Sequence, residues 1–140
     1  MTIYNTTARG VTNFFKVKDI SSFKEFICNF SFCKINIFYD QREKCKVGLF
    51  FEEFNDGCFG FPEYDNDDNE IDFAIELSKH LQKGEVAILT SFVYDSIGIE
   101  NRPRLFFSEI AVDHNGNKII SDNFIDKVSK KFKVCPDQLK

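Results

Sequence analysis

The groups in this chain that could do chemistry are carboxylates, two histidines and five cysteines, and their spacing points to binding rather than catalysis. His80 follows Glu76 by four residues, an ordinary pair on one helix face. His114 precedes Asn115-Gly116, a turn signal, and is expected on the surface. Carboxylates abound, but no spacing singles out an acid/base pair. The phosphate-binding, dinucleotide-binding, nucleophile-elbow and zinc-protease signatures are all missing. Cys58 beside Gly57 could act as a nucleophile, although a buried thiol is the commoner outcome. Cys28, Cys33, Cys45, Cys58 and Cys135 contain no C-x-x-C and miss the zinc spacings. Their odd number fits a reducing cytosol better than a disulfide framework. No cofactor and no metal is expected.

What stands out is where the acids lie. Between Val47 and Ser78 there are ten carboxylates and no Lys or Arg, which leaves 18 basic against 12 acidic residues elsewhere. The net charge of −4 hides this segregation, which bears on partners rather than on fold. Asp65, Asp67, Asn69 and Glu76 match positions 1, 3, 5 and 12 of a calcium-binding loop, but Glu70 occupies position 6, where the sharp turn needs glycine. A turn followed by a helix cap is the better reading of these acids. Held on one side of a domain, they would form a surface facing a basic partner. The residues expected there are Glu52, Glu53, Asp56, Glu63, Asp65, Asp67 and Asp68, with Phe59, Phe61 and Tyr64 as apolar anchors. Lys127, Lys130, Lys131 and Lys133 gather near the C-terminal end of an expected last helix, where they complement its dipole. Direct nucleic-acid binding is therefore not expected.

The elements that must hold these groups are legible from periodicity. At 140 residues, with 18 Phe and no Trp, the chain can bury a dense core in one domain. Residues 1–10 read as a flexible lead-in, 11–135 as one α+β domain and 136–140 as a tail. Met1–Gly10 lacks the apolar stretch of a secretory leader, and no run is long enough to span a bilayer. Strands are expected over 11–17, 32–39, 46–54, 85–94, 104–113 and 118–120, with 58–64 as a short edge strand at most. Helices are expected over 22–30, behind a Ser22/Glu25 capping box, over 70–83, capped by Asp68 or Asn69, and after Ser121 or Asp122. The fold class is α+β: a mostly antiparallel sheet of five or six strands, with three helices mainly on one face.

Several segments together resemble a known group. They are Gly10-Val-Thr-Asn-Phe-Phe-Lys-Val-Lys-Asp19, Gly60-Phe-Pro-Glu-Tyr-Asp65, Glu70-Ile-Asp-Phe-Ala-Ile-Glu-Leu-Ser-Lys-His-Leu81 leading into Gly84-Glu-Val-Ala-Ile-Leu89, and Ile110-Ala-Val-Asp-His-Asn-Gly-Asn117. This pattern is similar to a family of small, acidic, mostly uncharacterised proteins carried by plasmids, integrative elements and phages. Two departures stand out: Phe61 where the family usually has Trp, and a longer link over Asp95–Arg104. The resemblance implies a cytoplasmic accessory protein of a bacterial host's mobile element. Such proteins often block host defence, so the implied partner is a CRISPR effector or other nuclease with a basic groove. That makes an anti-CRISPR-like inhibitor the leading expectation. A second reading is a module that binds or degrades a nucleotide signal in a pocket of Tyr94, Arg102, Arg104 and His114. A third is a homodimer through an exposed sheet edge.

Overall fold

The computed structural model describes residues 4–31, 33–54, 61–97 and 102–119. It is α+β, with a mostly antiparallel sheet of seven strands and, among the described residues, two helices. The strands are β1 (Tyr4–Thr12), β2 (Phe15–Lys16), β3 (Lys34–Tyr39), β4 (Lys46–Phe54), β5 (Val86–Ile97), β6 (Arg102–Asp113) and β7 (Lys118–Ile119). The helices are α1 (Ile20–Cys28) and α2 (Phe73–Ser78). The expected third helix, Asp56, Phe59 and the 136–140 tail lie outside the described residues.

From Tyr4 onward the expected lead-in is a central strand. β1 pairs with β4 through Thr7↔Phe54 to Val11↔Phe50, and with β5 through Tyr4↔Ile97 to Thr12↔Leu89. Its polar run, Asn5-Thr-Thr-Ala-Arg9, looks unlike a strand because propensity is overridden when both edges are paired. The strand expected over 11–17 is broken into β1 and β2. Between the pairs Val11↔Phe50 and Phe15↔Val47, the first chain uses one residue more than β4, which is a bulge.

Two polar side chains mend the ladder at that bulge. Thr12 Oγ1 accepts from Leu49 N at 2.9 Å on the β4 side. On the β5 side, Asn13 Oδ1 accepts from Ile88 N at 2.8 Å, and Asn13 Nδ2 donates to Val86 O at 3.1 Å. The Asn13 backbone N–H also donates to Ile88 O at 3.4 Å, so the side-chain amide extends the ladder beside that bond.

β5 and β6 pair without interruption from Val86↔Asp113 to Ile97↔Arg102. The residues expected as a long polar loop, Asp95–Arg104, are therefore mostly ladder: Asp95↔Arg104 and Ser96↔Pro103 are in register. Pro103 lies near the start of β6, where no further strand flanks it among the described residues, as a residue without an N–H requires.

Helix ends also differ from expectation. Asp19, not Ser22, caps α1: its Oδ2 accepts from Ser22 N at 2.9 Å and from Ser22 Oγ at 2.8 Å. An ionised acceptor outcompetes a hydroxyl at this position, and those two bonds hold the Asp19 carboxyl below its ordinary range. α2 starts three residues later than expected because residues up to Glu70 remain in extended pairing with Tyr64. It also ends sooner, since Leu81 bridges to Val17 and Gln82 N donates to Lys16 O at 3.0 Å. Phe73, Ala74, Leu77 and Leu81 nonetheless all enter the core.

The core joins both helices to one set of alternating sheet positions, Leu49, Phe51, Ala87, Leu89 and Val112. Phe15, Phe23, Phe26, Phe30, Phe51 and Phe73 are all buried in it. Phe23 meets Phe15 edge-on at 6.0 Å, and Phe26 stacks on Phe73 at 5.6 Å. His80 belongs to this layer, stacked on Phe26 at 4.6 Å. Burial, and then Lys18, holds its imidazole below its ordinary pKa, so it packs as a neutral ring at pH 7. No helix among the described residues is long and apolar enough to cross a membrane.

Candidate partner-binding site

Residues 61–72 form a small hairpin, and most of the expected partner-facing residues lie on it. Its base is apolar. Phe61 stacks between Phe51, at 6.1 Å, and Phe73, at 5.5 Å, and Pro62 is buried. Above the base, Ile71 N donates to Glu63 O at 2.8 Å and Tyr64 bridges to Glu70. Phe61 therefore serves the core first, while Tyr64 is half exposed at 50%.

The tip, Asp65–Asn69, is closed by Asp65 itself. Asp65 Oδ1 accepts from Asp67 N and Asn69 N, each at 2.9 Å, and Oδ2 accepts from Asn69 Nδ2 at 3.1 Å. The bonds from Asn69 chiefly hold this carboxyl below its ordinary range. Asp65 therefore spends its carboxylate on closing the turn. The same device recurs at Asp113–Asn117, where Asp113 Oδ1 accepts from Asn115 N and Asn117 N and Oδ2 accepts from Asn117 Nδ2. Asp-x-x-x-Asn is thus one local solution used twice.

The two tips differ at the fourth residue, which must adopt positive φ. Gly116 does so at 82°, while Asp68 does so at 61°. Aspartate tolerates this region better than most residues, but still at a cost. Asp68→Gly is expected to raise stability by about 0.5–1 kcal/mol. Thermal unfolding at fixed pH checks it, and an unchanged or lower midpoint would show that the turn is not strained as described.

Asn66 fastens the tip to the end of α1. It donates through Nδ2 to Cys28 O at 2.9 Å and through its backbone N to Asn29 O at 2.8 Å. Its Oδ1 accepts from Ser31 N at 3.0 Å and Ser31 Oγ at 3.1 Å. The acidic tip is consequently held by the fold at several points. Asn66 was not singled out in the sequence, although its place inside Asp-x-x-x-Asn was a usable signal.

The carboxylates then sort by what they do. Asp72 caps α2 through Ile75 N and pairs with Lys118. Burial opposes its charge, but the bonds from Lys118 and Ile75 N outweigh that and hold its pKa down. Glu76 pairs with Lys79 at 3.0 Å. Glu63, Asp67, Asp68 and Glu70 are exposed, and their carboxylates have no hydrogen-bond or ion-pair partner among the described residues. Glu52 and Glu53 lie in β4. Glu52 is in register with Arg9 on one side and Lys34 on the other, and Glu53 with Ala8.

Beside the hairpin, a groove of about 810 Å³ opens between residues 61–74 and strands β5 and β6. Half-buried Phe61, Ile71 and Ile110 give it an apolar wall, and Glu63 and Glu70 stand on its rim. Of the residues expected to form a nucleotide pocket, His114 lies apart from Tyr94, Arg102 and Arg104. Arg104 is opposite Asp95 near the start of β6, while His114 lies just past its end, about 33 Å away at ~3.3 Å per residue. His114 Nδ1 accepts instead from Gly84 N at 3.2 Å, at the surface. No family model, curated protein or solved structure matches this chain.

Proposed function

We propose that this chain is a stoichiometric binding protein whose acidic hairpin occupies a basic, nucleic-acid-binding groove of a partner. The partner class follows from the sequence resemblance: a host defence complex, such as a CRISPR effector or another nuclease. The observation that supports this reading is the set of four exposed carboxylates, Glu63, Asp67, Asp68 and Glu70, on a hairpin fastened to the fold through Asn66. A merely solubilising surface needs charge but not fixed geometry, whereas an interface gains affinity when ordering has already occurred. Like charges held together also steer a basic partner and make binding salt-dependent.

The test replaces all four with their amides, Glu63→Gln, Asp67→Asn, Asp68→Asn and Glu70→Gln. Asp65 is left intact because it closes the turn. If each pair contributes about 0.5 kcal/mol or more, affinity should fall by roughly thirtyfold. Cells carrying a CRISPR effector or restriction nuclease are challenged with targeted DNA. The native chain should protect the DNA, and the amide variant should not at equal expression. Equal protection by both would remove the hairpin acids from the mechanism. Lack of protection by the native chain across such systems would remove the partner class.

A further inference from the structure

We infer that the groove beside the hairpin receives an apolar side chain from a basic segment of the partner. This rests on the reading above and adds a specificity element to it. The groove's volume of about 810 Å³ lies within the ~300–1,000 Å³ common for ligand sites. Its wall is apolar at Phe61, Ile71 and Ile110; Lys118 and Asp72 also line it and pair with each other, which leaves Glu63 and Glu70 to set its acidic charge. Ser91 and Ser108, a cross-strand pair in β5 and β6, also line it, and their hydroxyls have no partner among the described residues. They can hydrogen-bond the backbone of a bound segment.

Charge complementarity selects the occupant. An acid-rimmed apolar groove favours a chain in which Lys or Arg flanks a Phe or Leu. The cations meet Glu63 and Glu70 while the apolar residue leaves water. A purely acidic or neutral apolar segment would strand the rim carboxylates against its own surface. Burying one such apolar side chain is enough for about a tenfold preference.

The experiment uses the full chain and two synthetic peptides, studied by fluorescence anisotropy. Both are short lysine–arginine peptides; one carries a central Phe-Leu pair and the other Ser-Ser. The native chain should bind the Phe-Leu peptide about tenfold more tightly. Ser108→Trp, at an exposed strand position, fills the groove without altering charge. It should bring the two affinities together while keeping their salt dependence, with folding confirmed by circular dichroism. The four-amide variant should weaken both peptides alike. Equal binding of the two peptides by the native chain, or an undiminished preference in Ser108→Trp, overturns the groove assignment and leaves the acidic surface standing. Binding of neither peptide overturns both.

Discussion

Phe23→Ala is expected to lower the free energy of unfolding by about 3–5 kcal/mol. Phe23 has no exposed surface and holds three rings together: Phe15 at 6.0 Å, Phe26 at 6.2 Å and His80 at 6.0 Å. Phe15 lies in β2, Phe26 on α1 itself and His80 in the turn after α2, so one cavity would loosen the packing of α1 against both β2 and that turn. Small domains have about 5–15 kcal/mol in hand, and the variant should therefore sit near its folding threshold. A urea titration with an unchanged slope and a lower midpoint is the expected result. A loss under about 1 kcal/mol would mean that the rings repack freely and that α1 is not anchored as described.

Asn13→Ala should cost about 2–4 kcal/mol although it removes little apolar surface. Its amide satisfies Ile88 N and Val86 O beside the bulge, and alanine leaves both partly buried groups without it. Asn13→Asp is the sharper variant. It retains an acceptor for Ile88 N but sets a carboxylate oxygen against Val86 O, so it should recover little of the loss. Hydrogen exchange at the Ile88 amide reads the same bond directly and should accelerate in Asn13→Ala. Unchanged exchange together with a loss below about 0.5 kcal/mol would show that the backbone closes the gap unaided.

Much of the architecture could be read from the chain, and the failures have common causes. The alternation of Lys34–Tyr39 marks β3 because Ile35 and Ile37 are half-buried between exposed neighbours, and in β4 Val47, Leu49 and Phe51 recur at the same two-residue period in the core. β1 was hidden because its Asn, Thr and Arg are held by pairing on both edges, which leaves no amphipathic trace. Glu70–Asp72 looked helical because acids suit a helix start, yet two-residue pairing with Tyr64 and Glu63 keeps that stretch extended. The proline and charges of 95–104 suggested a loop, but strand pairing with a twelve-residue partner absorbs them.

The candidate site was legible as a composition and not as an arrangement. Ten acids in one stretch are plain in the sequence. Which of them face outward depends on hydrogen bonds that only the folded chain reveals. Asp65 looks equivalent to Asp67 and Asp68 in the sequence, yet it closes a turn, whereas Asp72, an acid suited to a helix start, caps α2 and pairs with Lys118. Glu63 and Glu70 gain weight instead, because the hairpin sets them at the rim of the groove.

Competition between this chain and nucleic acid for one purified effector tests the central claim most directly. The effector is the one against which the native chain protects, and labelled guide or target nucleic acid reports occupancy. Occlusion by Glu63, Asp67, Asp68 and Glu70 predicts mutually exclusive binding, affinity that falls steeply with salt, and a flatter salt dependence in the four-amide variant. A stable ternary complex of effector, nucleic acid and this chain, with salt dependence untouched by the variant, would contradict it.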